Sequence, residues 1–186
     1  ESPMSHLYPV PSTGQPTAIE FFAGIGLARA GMSDAGISTV WANDYDKHKF
    51  AMYSGQWGGD DFALENVFDV DPDQVPHADI AWSSSPCTDL SLAGKRSGIS
   101  GRESSAFFGF TKVLRGMGDR GPSVAVLENV VGLASSHGGD DLRAAIREFN
   151  GLGYAVDVVT IDARRFVPQS RPRLFLIGAK RPLEGG

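Results

Sequence analysis

The sequence holds a single cysteine, Cys87, in the stretch Ser83-Ser84-Ser85-Pro86-Cys87-Thr88-Asp89-Leu90-Ser91. Most lone cysteines are small buried hydrophobes. Here an apolar run ends in proline and the chain moves off among polar neighbours, which argues for an exposed thiol where a sheet opens to ligand. In its thiolate form such a group is a nucleophile. A second chemical residue, Glu128, ends a later apolar run in Leu127-Glu128-Asn129-Val130. A carboxyl beside a cysteine can give or take a proton once burial raises its pKa, and its plainer use is to brace a loop. A third group, Arg171 and Arg173, lies in Pro168-Gln169-Ser170-Arg171-Pro172-Arg173. Arginine offers a rigid fork of donors for carbonyl or phosphate oxygens, and its plainer reading is a solvated turn.

A different chemistry is written near the start. Glu20-Phe21-Phe22-Ala23-Gly24-Ile25-Gly26 places two glycines at the end of an apolar run. Glycines there permit a tight turn and close approach of a ligand to the backbone. A nicotinamide fingerprint would require a third glycine three positions after Gly26, where Arg29 stands, and no Gly-Lys-Ser/Thr phosphate loop is present. A nucleoside ligand without phosphate fits better. Asp44 closes the next apolar run and can accept hydrogen bonds from ribose hydroxyls. Tyr45 follows and can lie against an adenine face. Asp46 is suited to cap the helix after it.

These residues need a scaffold that gathers them. Short apolar runs alternate with helical patterns from Thr17 onward. Strands are expected at Thr17–Phe22, Ser38–Asn43, Ala78–Ser83, Ser123–Glu128, Tyr154–Asp162 and Arg173–Ala179. Helices are expected after Gly26 to about Ala35, over Asp46–Ser54, Ser105–Met117 and Asp140–Leu152. Alternation of this length predicts an α/β fold, an open and mostly parallel sheet with helices on both faces. Ligands of such sheets bind at the carboxyl ends of the strands, where every motif above falls. Residues 1–16 are rich in Pro, Ser and Gly and read as a flexible tail, leaving 17–186 as one catalytic domain.

Bulk properties narrow the class. The 186 residues are 41% hydrophobic and 21% charged, ordinary for a globular protein. No apolar run reaches bilayer length and no export signal is visible, so a cytoplasmic location without membrane contact is expected. One cysteine excludes an internal disulfide and a cysteine metal cluster, and no metal is expected. The net charge is −5, a poor overall match to a nucleic-acid binder. Its distribution is uneven. Asp60, Asp61, Glu65, Asp69, Asp71, Asp73 and Asp79 form an acidic run read as a solvated edge, whereas Arg164, Arg165, Arg171 and Arg173 cluster beside a Pro-rich loop without an acid.

Taken in order, Phe22-Ala23-Gly24-Ile25-Gly26, Asn43-Asp44-Tyr45-Asp46-Lys47, Ser85-Pro86-Cys87, Glu128-Asn129-Val130 and Pro168-Gln169-Ser170-Arg171-Pro172-Arg173 resemble the cytosine-C5 DNA methyltransferase family. The likeness runs from about Ile19 to Gly178. It implies a Rossmann-like class I methyltransferase fold with an antiparallel C-terminal strand. It implies S-adenosyl-L-methionine as cofactor, with S-adenosyl-L-homocysteine as product. Phe22, Ala23, Gly24 and Gly26 would line the methionine part, Asp44 the ribose, and Tyr45 the adenine, with Asn66 and Val67 at the adenine edge and Pro86 close by. Cys87 would attack C6 of a cytosine flipped out of duplex DNA. Glu128 would hold N3 and the exocyclic amine, Arg173 would contact O2, and Arg171 would support that site. The loop Leu92–Glu103, with Lys95, Arg96 and Arg102 and the hinge glycines Gly94, Gly98 and Gly101, would close over it.

Some positions depart from the family pattern. Glu20 and Asp44 stand where Asp and Glu are frequent, Leu27 replaces a common glycine, Thr88 follows the cysteine in place of glutamine, and Asn66 stands where aspartate is frequent. Little chain follows Arg173, so the family's target-recognition domain and returning segment are not visible. The resemblance thus implies the catalytic part of a split or truncated enzyme of bacterial or phage cytoplasm in a restriction-modification setting, with a second polypeptide or missing segment reading the DNA. The alternatives are an RNA cytosine-C5 methyltransferase and a cofactor-binding regulatory subunit without activity of its own.

Overall fold

The computed structural model describes residues 14–86 and 105–180. Along the chain run β1 (Thr17–Phe21), α1 (Leu27–Asp34), β2 (Ser38–Asp44), α2 (Lys47–Trp57), β3 (Phe62–Leu64), β4 (Ile80–Ser83), α3 (Ala106–Met117), β5 (Val124–Val130), α4 (Asp140–Gly151), β6 (Tyr154–Asp162) and β7 (Pro172–Lys180). Among the described residues, seven strands form one sheet in the order β3-β2-β1-β4-β5-β7-β6. Neighbours from β3 to β5 pair in parallel, and β7 runs antiparallel to both β5 and β6. The mostly parallel sheet and the reversed last strand agree with expectation.

Consecutive strand residues face opposite sides of the sheet, and both sides are packed. Phe21 meets Trp41 with ring centroids 5.1 Å apart and Phe110 of α3 at 4.9 Å. Phe107 of α3 lies 5.9 Å from Phe149 of α4, which lies 5.9 Å from Tyr154. These rings are all buried and form one core on that face. Ala42, next to Trp41, points the other way and packs with Tyr53, Trp57 and Phe62. Arg29 of α1 joins them, donating to the Tyr53 hydroxyl at 2.6 Å. Helices therefore cover both faces.

Two details were not foreseen. Strand β3 has three residues, too few to show a periodicity, and it lies within the acidic run at the sheet's edge. Asp79, counted in that run, is not simply solvated. Its Oδ2 accepts from the backbone N–H of Thr17 at 2.8 Å and from the Thr17 hydroxyl at 3.1 Å, fastening the start of β1 beside β4.

Candidate functional site

The turn after β1 is strained and then pinned. Phe22 has φ 57, a left-handed conformation rare for a bulky residue. Such residues cost of order 1–3 kcal/mol and cluster at ligand sites. Backbone bonds hold the turn, from Ala23 N to the Asn43 carbonyl at 3.0 Å and from Gly26 N to the Ala23 carbonyl at 2.9 Å. Gly24 and Gly26 also have positive φ, 58 and 85, for different purposes. A Cβ on Gly26 would run into the Trp57 indole, so packing demands this glycine. A Cβ on Gly24 would meet nothing within 4 Å, so an open side of the backbone faces whatever binds there.

Asp44 stands beside this turn. Its Oδ2 accepts from Gly24 N at 2.9 Å and its Oδ1 from Asp46 N at 3.0 Å. Both carboxylate oxygens thus brace the backbone, and each keeps a further lone pair for a ligand hydroxyl. Tyr45 is 70% exposed, its ring free for stacking. Asp46 caps α2 as expected, accepting from His48 N and Lys49 N at 2.8 and 3.2 Å. These bonds hold its carboxyl below the usual carboxylate range.

Glu20 was not singled out for the site, yet among the described residues it is the most perturbed carboxylic acid. It is 1% exposed, and its Oε2 has no hydrogen-bond partner. Burial pushes its carboxyl up to about 7, against the opposing pull of the Arg29 backbone N–H and guanidinium, while Asp44 adds repulsion. The N–H of Arg29 lies in the first turn of α1, whose N-cap Gly26 supplies no side chain. Glu20 therefore caps α1 from the neighbouring strand.

The remaining cofactor candidates divide. Asn43 Nδ2 donates to the carbonyls of Ala63 at 2.8 Å and Glu65 at 2.9 Å, suspending the segment before Asn66 from β2. Asn66 is exposed and its Oδ1 accepts from Phe68 N at 3.0 Å. Val67 turns its side chain into the core at 5% exposure.

Pro86 is exposed and ends the described stretch, so Cys87 and the loop Leu92–Glu103 lie outside the described residues. The approach to Cys87 is nonetheless fixed. Ser84 N donates to the Phe21 carbonyl at 3.3 Å, and Asn129 Nδ2 donates to the Ser85 carbonyl at 3.2 Å. Asn129, next to the candidate Glu128, thus ties β5 to the segment leading into Pro86 and Cys87. Its sequence neighbours were the only signal for this role.

Glu128 and Arg173 come together. Arg173 Nε lies 3.0 Å from Glu128 Oε1, with the side chains 22% and 24% exposed. The register explains the contact. Glu128 pairs with Phe175 and Val130 with Arg173, so the two are diagonal neighbours on one face of an antiparallel ladder. Trp82 lines the same face, its ring 6.0 Å from Phe175. Arg171 does not join them. Its backbone N–H donates to Asp162 Oδ1 at 2.8 Å and its side chain lies in an exposed loop. A guanidinium and a carboxylate on one wall can hold a flat heterocycle by its acceptor and donor edges together. Among the described residues, no group of three or more His, Cys, Asp or Glu side chains could hold a metal ion, and no helix is long and apolar enough to cross a membrane.

Comparison with known proteins meets this geometry from another side. The family model for C-5 cytosine-specific DNA methylase matches residues 17–185. The chain is 30% identical over 161 residues to the type II methyltransferase M.HaeII of Haemophilus aegyptius, covering 86% of this chain and 49% of that protein. It is 33% identical over 172 residues to the type II methyltransferase M.AgeI of Thalassovita gelatinovora, covering 87% of this chain and 39% of that protein. The chain therefore spans about half the length, or less, of these curated relatives. In fold it is similar to the Dnmt2 methyltransferase of S. pombe, with a TM-score of 0.72 at 18% identity over 92% of this chain and 53% of that one. A putative DNA modification methyltransferase encoded within an E. coli prophage gives 0.69 at 20% identity, over 89% of this chain and 47% of that one.

Proposed function

Since the chain belongs to the C-5 cytosine-specific DNA methylase family, we propose that it is the S-adenosyl-L-methionine-binding, catalytic part of an enzyme that methylates C5 of cytosine in DNA. The observation that carries this reading is the Glu128–Arg173 pair at the carboxyl end of the sheet. That pair stands beside the segment that Asn129 ties down just before Cys87. The cofactor suits the other half of the site. Gly24 leaves its backbone open, Asp44 keeps free lone pairs, and Tyr45 offers an exposed ring.

In this reading Phe22, Ala23, Gly24 and Gly26 border the methionine part, and Asp44 takes the ribose hydroxyls. Tyr45 and the backbone at Asn66 and Val67 border the adenine, and Pro86 lies near the reacting end. When bound, the cofactor supplies an electrophilic methyl group and is left as S-adenosyl-L-homocysteine. The protein's own task is to make a poor carbon nucleophile reactive. The Cys87 thiolate adds to C6 of the extruded cytosine, and electron density moves onto C5. Arg173 donates to O2, where negative charge grows, and Glu128 lies against N3 and the exocyclic amine. After methylation a base takes the proton from C5, the C5–C6 double bond reforms and the thiolate leaves. Arg171, outside this contact, acts from the loop. The half-length match to the relatives supports reading of the DNA target by protein beyond these residues, as a further segment or a second polypeptide.

The test is a labelled-methyl assay on duplex DNA and on structured RNA, with and without the partner that supplies target reading. Cys87→Ser should abolish transfer while titration calorimetry still detects cofactor binding. Arg173→Ala should lower the rate about 100- to 1,000-fold, the usual loss for one donor to a developing anion. Undiminished turnover of Cys87→Ser would refute the nucleophile, and transfer to RNA alone would replace the substrate.

A further inference from the structure

One basic segment is left over by this site. Between Asp162 at the end of β6 and Pro172 at the start of β7, the loop carries Arg164, Arg165 and Arg171 with no acid among them. Its order is built from inside. Asp162 Oδ1 accepts from the backbone N–H groups of Arg164 at 3.0 Å and Arg171 at 2.8 Å, so one oxygen clasps both ends of the loop. Its Oδ2 accepts from the Ser170 hydroxyl at 3.0 Å. Phe166 N and Val167 N both donate to the Ala163 carbonyl at 2.9 Å. These bonds hold the Asp162 carboxyl below the usual carboxylate range.

The loop is held to shape, yet it presents its side chains to water. Phe166 is 78% exposed and Val167 49%. Arg164 is 71% exposed, and its Nε lies 4.0 Å from Asp162 Oδ2, a solvated contact of little strength. A rigid loop that offers an aromatic ring between cations has the make-up of a nucleic-acid platform, in which rings stack on bases and cations take phosphates. Its position suits that use. Ile161 and Val130 both pair with Arg173, so the loop begins beside the Glu128–Arg173 contact.

We propose that this loop grips the DNA strand flanking the extruded cytosine, Arg164 and Arg165 on phosphates and Phe166 against a neighbouring base. The inference rests on the DNA reading above and adds residues that reading does not use. The chain carries −5 overall, so local positive charge with no acid from 163 to 173 favours a polyanion over an average protein surface.

The test is fluorescence anisotropy on the full chain across a salt series. One labelled duplex is fully paired, and a second sets the target cytosine opposite an abasic site, so that it is already free to leave the stack. The double variant Arg164→Gln with Arg165→Gln should reduce the slope of log affinity against log salt by about 1.8, or 0.9 per lost phosphate contact. Phe166→Ala should leave that slope alone and weaken binding about 5- to 100-fold, as expected for one base stack. Phe166→Trp should restore it. Unchanged affinity and slope in all loop variants, with methyl transfer by the parent intact, would overturn this inference alone. So would a Phe166→Ala defect confined to association with a second polypeptide. A parent that neither binds DNA nor transfers methyl would overturn the function and the loop together.

Discussion

At the scale of single residues, two glycines two positions apart answer to different constraints. Gly26→Ala places a methyl against the Trp57 ring at φ 85 and should cost about 2–5 kcal/mol, read from the urea midpoint. Gly24→Ala meets only the backbone penalty at φ 58 and should cost about 1–2 kcal/mol. Its larger effect should be on cofactor affinity, because it fills the open side. Glu20 yields a pH prediction. Its carboxyl is raised from 4.5 to about 7, so the folded state favours the protonated form. The associated stability is full below about pH 4.5, fades as pH rises toward 7 and is gone above it. The difference is about 3 kcal/mol. Glu20→Gln should flatten the stability profile between these limits in melts taken from pH 4 to 8. An unaltered profile would show that the buried carboxyl does not titrate there. None of this could be read from the sequence, which marks Glu20 as a charge-conserving neighbour of the glycine turn and does not show its burial.

At the scale of elements, the register of β7 decides which residues face which way. Leu176 pairs with Leu127 and is fully buried on the α4 side, whereas Ile177 pairs with Val126 and stays 39% exposed on the other. Leu176→Ala should therefore cost about 2–5 kcal/mol, and Ile177→Ala distinctly less. A strand slipped by one residue would exchange the two values, so the pair of urea midpoints tests the register directly. Elements with a clear period were legible from sequence, including α4 and every strand of four or more residues. Strand β3 was not, because three residues carry no repeat. The inward turn of Val67 was equally hidden, since a valine after a strand gives no local sign of which side it packs on. The contact of Arg173 with Glu128 could be expected only through family likeness. In physical terms it depends on an antiparallel pairing across 44 intervening positions, and no local pattern encodes that.

For the whole molecule, the legible part was the architecture and the end of the sheet where the candidate residues lie. Alternation of strand and helix dictates the first, and the turn chemistry at successive strand ends marks the second. What stayed hidden was how each half of the site is fastened within itself, the one through Asp44 to Gly24 and the other through Asn129 to Ser85, because those bonds join segments far apart in sequence. The order of the sheet has one more effect. Strand β7 comes after β6 in the chain yet lies between β5 and β6. During synthesis, the edge of β5 stays unpaired until β7 emerges and slots into the gap. That strand brings Arg173 with it. A nascent or half-folded chain would hold Glu128 without its guanidinium, so the carboxylate–guanidinium contact forms only once β7 is in place.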